Sequence, residues 1–179
     1  NLICGDCDSI YYNKTDSTLK CIKDPIIWLD KNQVTGEKIE FKISEGKIYN
    51  MSVTNNSMII TRKDSIHYDQ IKGDQINGHF KNNELNILDV KKNGKAIYYT
   101  NDEKDSLINE INIISCESMK IHIKENKIEK IKFNSKPNGK TLPLEEEKKD
   151  FYLDNFKIIS KRSYQEKKEV AKGDSPNGR

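Results

Sequence analysis

Three segments of this 179-residue chain align with one another without gaps, and this repeat restricts the chain to folds built from a recurring unit. The segments span residues 36–53, 73–90 and 116–133, so that equivalent positions are separated by 37 and then by 43 residues. Spacings of roughly 20–50 residues are typical of arrays in which one supersecondary unit stacks on the next. The repeat therefore predicts an elongated array rather than a fold without internal symmetry.

Each segment opens with alternating apolar and polar residues, which is the period of a strand with one buried face. The alternating positions are Ile39, Phe41 and Ile43; Ile76, Gly78 and Phe80; and Met119, Ile121 and Ile123. A two-residue turn follows in each case, Glu45-Gly46, Asn82-Asn83 or Glu125-Asn126, and such residues tolerate the left-handed backbone of tight hairpins. We therefore predict three hairpins whose inward residues form columns, with the column through Gly78 thin in the middle.

The returning strand of each hairpin has the same irregular spacing. Its apolar residues are Ile48, Met51 and Val53; Leu85, Leu88 and Val90; and Ile128, Ile131 and Phe133. The first step is three residues and the second is two, which predicts a β-bulge at the same place in all three hairpins. The intervening stretches resemble further strands joined by Asp-Ser turns, so residues 8–135 are predicted to contain no helix.

The composition supports a sheet that buries one face. Hydrophobic residues make up only 34% of the chain and charged residues 33%, which favours a bent, open-sided β-roll over a protein with a thick core. A net charge of +3 without a basic block argues against nucleic acid as the main partner. No apolar run reaches the roughly 18 residues of a membrane-spanning helix. The start at Asn1, without Met or a leader, suggests a fragment or a processed product.

No catalytic or metal-binding arrangement stands out. The cysteines Cys4, Cys7, Cys21 and Cys116 lack the second close pair of a zinc site, and they are interpreted as buried or idle thiols. His79 and His122 occupy equivalent repeat positions next to inward residues, so both are expected to point outward. No phosphate-binding glycine loop and no Ser-His-Asp spacing is present. We predict a protein that is not an enzyme and that binds no metal or cofactor.

The order and spacing of several motifs make this chain resemble the OstA-like proteins of Bacteroidetes-type bacteria. Those proteins are relatives of the LptA-like lipopolysaccharide-transport β-jellyroll proteins. The resemblance covers roughly residues 6–162. The motifs that carry it are Trp28 with residues 34–39, Asn55-Asn56-Ser57-Met58-Ile59-Ile60, residues 68–76, Asn83-Glu84-Leu85, Ala96-Ile97-Tyr98-Tyr99, Cys116-Glu117-Ser118-Met119, and Ile131-Lys132-Phe133 with Pro137.

The resemblance implies a twisted, partly open β-jellyroll that shields lipid acyl chains without performing chemistry. It implies lipopolysaccharide or lipid A acyl chains as the ligand, homologous jellyroll domains as stacking partners through sheet edges, outer-membrane assembly proteins as further partners, and a periplasmic location. The apolar residues expected to line the lipid groove are Ile39, Phe41, Ile43, Ile76, Phe80, Leu85, Met119, Ile121, Ile123 and Ile128.

The residues alone leave alternatives to this interpretation. The same columns suit a sealed core, and free sheet edges suit a structural module of an outer-membrane assembly. Trp28 and the pairs Tyr11-Tyr12 and Tyr98-Tyr99 suit a carbohydrate-binding β domain, although strand alternation alone would place one tyrosine of each pair inward.

The chain is expected to divide into three parts. Residues 1–144 form the jellyroll, residues 145–159 form a C-terminal docking segment of the same domain, and the polar residues 160–179 are expected to be a disordered tail.

Overall fold

The computed structural model describes residues 3–29, 31–82, 84–101, 107–124, 127–144 and 151–159, and this part of the chain is almost entirely β-structure without an α-helix. The all-β prediction is therefore confirmed. The strands are β1 Ile3–Asp6, β2 Ser9–Asn13, β3 Thr18–Ile22, β4 Ile26–Leu29, β5 Asn32–Thr35, β6 Lys38–Ser44, β7 Lys47–Arg62, β8 Tyr68–Lys81, β9 Glu84–Asn101, β10 Ile108–Lys124, β11 Lys127–Asn134 and β12 Asn138–Pro143.

All twelve strands belong to one antiparallel sheet that bends along a line crossing its long strands. On one side of the bend lies the first half-sheet, in the order β2, β3, β6, then the first part of β7, the second part of β8, the first part of β9, the second part of β10, and β11. The second half-sheet contains β1, β4 and β5, the remaining parts of β7 to β10, and β12. The long strands thus contribute to both halves.

Pairs of residues in the left-handed conformation produce the bend. They occur at Lys23-Asp24, Asn55-Asn56, Lys92-Asn93 and Ser135-Lys136, with φ between 48° and 60°. The sheet register shifts at the two pairs inside strands β7 and β9, because the extra residues are not matched on the neighbouring strand. Bends of this kind turn the apolar faces of the two half-sheets toward each other.

An acidic residue of each repeat supports the corner. The Nδ2 atoms of Asn55 and Asn56 donate to the two carboxylate oxygens of Glu37 at 3.0 and 3.1 Å. In the next repeat, Asn93 Nδ2 donates to both oxygens of Asp74. In the third, the backbone N–H of Glu117 donates to the carbonyl of Ser135. The carboxylate therefore binds corner asparagine side chains in the first two repeats, whereas the backbone of the equivalent residue makes the contact in the third.

The interior is one apolar cluster to which both half-sheets contribute. From the first half-sheet it contains Ile39, Phe41, Met51, Val53, Ile76, Leu88, Val90, Met119 and Ile121, and from the second Ile27, Leu29, Val34, Ile59, Ile71, Ala96 and Cys116. Because each half-sheet contributes only its inward-facing residues, a chain that is only 34% hydrophobic can form this interior.

The register confirms the predicted columns and bulges. Ile39, Ile76 and Met119 lie in one row across the sheet, and Phe41, Gly78 and Ile121 in the next. The register shifts between Lys42 and Ile43, between His79 and Phe80, and between His122 and Ile123, which leaves one unmatched residue on each returning strand.

The prediction of a thin column at Gly78 was wrong. A Cβ atom at this position would lie 3.2 Å from Met51 Cε and 3.0 Å from Leu85 Cδ1. Long side chains from both neighbouring strands have therefore occupied the space that the missing side chain leaves.

The opposite face of the second half-sheet is also covered. Residues 151–159 lie across it, and a second apolar cluster there contains Ile97, Tyr99 and Ile111 with the half-buried Phe151 and Leu153. The segment contains no regular strand. Residues 145–150, expected to belong to the docking segment, and residues 160–179, expected to be a disordered tail, lie outside the described residues.

Gly73 offers a test of the corner packing. A Cβ atom there would lie 2.5 Å from Val90 Cγ1, so Gly73→Ala is expected to lower the free energy of unfolding by about 1–3 kcal/mol. In the double variant Gly73→Ala/Val90→Ala the clash is removed, so the loss should be smaller than the sum of the two single losses. Urea denaturation measures all three variants, and simple additivity would contradict the predicted contact.

Candidate functional site

The apolar interior changes from buried to accessible along the strands of the first half-sheet. In the row nearest the corner, Ile39 and Ile76 have 0% exposure and Met119 has 1%. In the next row, Phe41, Leu88 and Ile121 are also at most 2% exposed. The row at the hairpin turns is different, because its residues are half-buried or exposed. The interior thus opens toward the hairpin turns.

We call this last row the apolar rim. It consists of the facing pairs Ile43 and Ile48, Phe80 and Leu85, and Ile123 and Ile128. Five of these side chains are half-buried, and Ile128 is 43% exposed. All six are apolar and lie beyond the first β-bulge of their hairpins, so the rim is the place where the interior meets solvent.

The other end of the interior is polar. Asn32, Thr61 and Asp69 follow one another across strands β5, β7 and β8, and the hydroxyl of Thr61 donates to Asn32 Oδ1. Across β10 and β12, the hydroxyl of Thr141 donates to Asn112 Oδ1. An acyl chain cannot replace the hydrogen bonds of such groups, so this end is less favourable for an apolar ligand than the rim.

Asp69 is the acidic group of this polar end. It is 9% exposed, accepts a hydrogen bond from the backbone N–H of Tyr99 at 2.9 Å, and lies 3.7 Å from the ammonium group of Lys63. Burial raises the pKa of Asp69 above its ordinary value, although the hydrogen bond and Lys63 act in the opposite direction. Asp69 lies within strand β8 and not in a turn.

All ten residues predicted to line a groove lie on the inner face of the first half-sheet or at its hairpin ends. Five are buried and five belong to the apolar rim. The buried ones are Ile39, Phe41, Ile76, Met119 and Ile121; those of the rim are Ile43, Phe80, Leu85, Ile123 and Ile128. The fold brings them into one continuous surface.

Sequence reasoning missed the wall that the second half-sheet contributes, which includes Ile27, Val34, Ile59, Ile71 and Ala96. The runs Ile26–Leu29 and residues 58–60 were the available signal. Unbroken apolar runs of this length are typical of strands buried on both faces, and both faces are covered here.

The titratable groups outside the interior form no metal site among the described residues. His79 is exposed on the outer face, 3.0 Å from Asp89, which also pairs with Lys120 at 3.1 Å. His122 lies on the same face in β10, across β9 from His79, and its Nε2 atom is buried without a hydrogen-bond partner among the described residues.

The cysteines are reduced in this structure. Burial, followed by the neighbouring Cys7 thiol, raises the pKa of Cys21 to about 12. Burial also raises the pKa of Cys116. Neither buried thiol is therefore poised as a nucleophile, because the thiolate is the reactive form.

The aromatic residues do not form a common sugar-stacking surface. Trp28 is 6% exposed, and its Nε1 atom donates to the carbonyl of Ile159 at 3.2 Å. Tyr99 is buried against the second cluster, as alternation predicts for one member of its pair. Tyr11 and Tyr12 are both more than half exposed, which corrects the same expectation for them, because β2 is an edge strand with solvent on both faces.

No helix among the described residues has the length and apolar character needed to cross a membrane.

Comparison with known proteins finds a similar fold among solved structures. No protein-family model matches the chain, and no curated protein matches it. Among solved structures it is similar to LptH, described as the LptA-homologous periplasmic component of the conserved lipopolysaccharide transport device from Pseudomonas aeruginosa. The TM-score is 0.59 at 10% sequence identity, over 79% of this chain and 94% of that one. The chain therefore has the LptA-like β-jellyroll fold.

Asp69 predicts a pH dependence of stability. Since its pKa is raised in the folded state, its contribution to stability is greatest below the unfolded pKa and is lost as the pH rises through the folded pKa. Asp69→Asn keeps the acceptor for Tyr99 and should reduce this loss between pH 4 and pH 7, as measured by urea denaturation. The exposed Glu84→Gln serves as the control. Parallel pH curves for Asp69→Asn and the parent protein would contradict the assignment.

Proposed function

We propose that this protein is a non-enzymatic lipopolysaccharide-binding protein that shields acyl chains inside its jellyroll and helps to bridge the cell envelope during outer-membrane biogenesis. The observation that carries the proposal is the apolar interior, which is bordered by polar residues at one end and opens through the apolar rim at the other. The LptA-like fold supports the same conclusion.

An apolar interior of this kind is suited to acyl chains. Each methylene group transferred from water contributes about 0.8 kcal/mol without any directional contact, so several chains bind tightly to surfaces made of Ile, Leu, Phe and Met. A polar headgroup requires no burial, because the rim is open to solvent. In this proposal the ten predicted residues line the lipid site, with the rim residues making the first contact.

The sheet edges supply the surfaces for assembly. In the described part of the chain, β2 pairs only with β3, β11 only with β10, β1 only with β4, and β12 only with β10. Each therefore has one side with unpaired backbone groups that accept another strand. We propose that homologous jellyroll domains stack on these edges, that outer-membrane assembly proteins are the further partners, and that the protein works in the periplasm.

Photo-crosslinking tests for lipid in the interior. Benzoylphenylalanine in place of Phe80, on the rim, should capture lipopolysaccharide in a lipopolysaccharide-producing host. The same probe in place of Tyr49 provides the control, because Tyr49 is the unmatched residue of a bulge and is 47% exposed. Capture only at position 49 would contradict lipid binding inside the jellyroll.

A rim substitution tests the affinity. Leu85→Glu places a charge beside the acyl chains and removes an apolar contact worth about 1.5–3 kcal/mol, so the fraction of protein carrying a lipid-sized adduct should fall about tenfold or more in native mass spectrometry. Ile66→Glu, in an exposed loop between β7 and β8, should leave the adducts unchanged. Protein that carries no such adduct under gentle conditions would favour the alternative, a structural module that acts through its sheet edges alone.

A further inference from the structure

Two buried glutamines hold residues 151–159 on the outer face of the second half-sheet. Gln70 Nε2 donates to the carbonyl of Phe151 at 3.0 Å, and its Oε1 accepts from the N–H of Leu153 at 2.8 Å. Gln33 makes the same two bonds at the other end of the segment. Its Nε2 donates to the carbonyl of Lys157 at 2.7 Å, and its Oε1 accepts from the N–H of Ile159 at 2.8 Å. We call residues 151–159 the strap.

Each glutamine thus bonds to the carbonyl of one residue and to the N–H of the residue two positions later. A neighbouring β-strand makes the same pair of contacts with an extended chain. With the strap in place, Gln70 is 0% exposed and Gln33 is 5% exposed, so the strap shields these hydrogen bonds from water.

Two further side chains of the sheet also donate to backbone atoms of the strap. Trp28 Nε1 donates to the carbonyl of Ile159, and Lys72 Nζ donates to the carbonyl of Asp154 at 2.8 Å. With the four glutamine bonds, this makes six hydrogen bonds from sheet side chains to strap backbone atoms. The sheet therefore recognises the strap as it would recognise a bound peptide.

Apolar contacts determine which peptide fits. Phe151 and Leu153 pack into the second apolar cluster, and the ring of Phe156 lies edge-on to Tyr68 with centroids 5.6 Å apart. The side chains between these anchors face solvent, as in Tyr152, which is 46% exposed. The outer-face groove that holds the strap thus fits a backbone that turns at Asp154-Asn155, where the N–H of Phe156 donates to the carbonyl of Leu153, and it takes apolar anchors at the first, third and sixth positions of the segment.

We propose that this groove is a peptide-binding site. In a pair of molecules, the groove of each copy would bind the strap of the other copy in place of its own. A second copy carries a segment with the required anchors and with the six-residue spacing that separates the two glutamine contacts. Exchange would therefore keep every contact described above. The exchanged contacts lie on a face of the sheet, but the two copies approach each other along β12, which is one of the stacking edges in the proposed function.

The position of the strap in the chain makes this exchange sterically simple. Six residues join Leu144 to Phe151, which gives a reach of at most about 25 Å. The preceding strand, β12, lies at an edge of the second half-sheet. Two copies that meet along β12 therefore have each groove within reach of the other strap, and exchange of a terminal segment is a low-cost route to a dimer.

Crosslinking between distinguishable copies of the full chain tests the proposal. Unlabelled protein with benzoylphenylalanine in place of Phe156, whose ring lies edge-on to Tyr68, is incubated at high concentration with ¹⁵N-labelled protein that lacks the probe, then irradiated and digested. We expect mixed crosslinks that map to residues 68–73 of the labelled copy and increase with incubation time. The same probe in place of Tyr49, which is 47% exposed, measures random encounters. Mixed crosslinks no more frequent than this baseline would overturn the proposal.

A second variant separates groove binding from non-specific association. Gln70→Met in both copies preserves the volume and removes both hydrogen bonds between this residue and the strap, so each strap should leave its own groove sooner and mixed crosslinks to residues 68–73 should accumulate several-fold faster. Gln75→Met is the matched control, because Gln75 is half-buried and bonds only to Ser52 and Asn77 in the first half-sheet. Circular dichroism confirms that both variants fold. Mixed crosslinks that are equally frequent in the two variants would also overturn the proposal.

Discussion

The bend in the sheet is the constraint on which the rest of the structure depends. Alternating residues give each strand an apolar face, and a flat sheet of twelve strands would leave that face in water. Left-handed conformation at residues other than glycine costs about 1 kcal/mol each, and the corner contains pairs of them at four places among the described residues. Glu37 and Asp74 offset part of this cost by binding the corner asparagines. The bend is stable because it lets both half-sheets bury one common apolar interior.

The two ends of that interior differ because the hairpin turns and the second half-sheet carry different residues. At the turns, isoleucine, leucine and phenylalanine reach the solvent boundary, whereas Asn32, Thr61 and Asp69 satisfy one another or the backbone at the opposite end. An interior with one apolar opening is a container for an apolar ligand, and this asymmetry is what connects the LptA-like fold to lipid binding in the function we propose.

The first half-sheet was largely predictable from the sequence, and the second was not. In the first half-sheet only one face is covered, so the alternation of apolar residues such as Ile39 and Phe41 directly identifies the inward face. In the second, the strap covers the outer face, and residues 58–60 are buried regardless of the direction in which they point. Alternation disappears where both faces are buried, and the pattern that identified the groove residues was therefore missing from the opposite wall.

The sequence by itself determined the features that depend on neighbours along the chain: the strands, the hairpin turns, the repeated bulges and the inward face of each hairpin. Only the tertiary structure decided how distant segments complete one another. Met51 and Leu85 fill the space beside Gly78, and Gln33 and Gln70 hold a strap that is 81 to 126 residues away in the chain. A period of two residues is a local property that sequence records directly. A buried glutamine has no such signature, because its partner is set by the bend of the whole sheet.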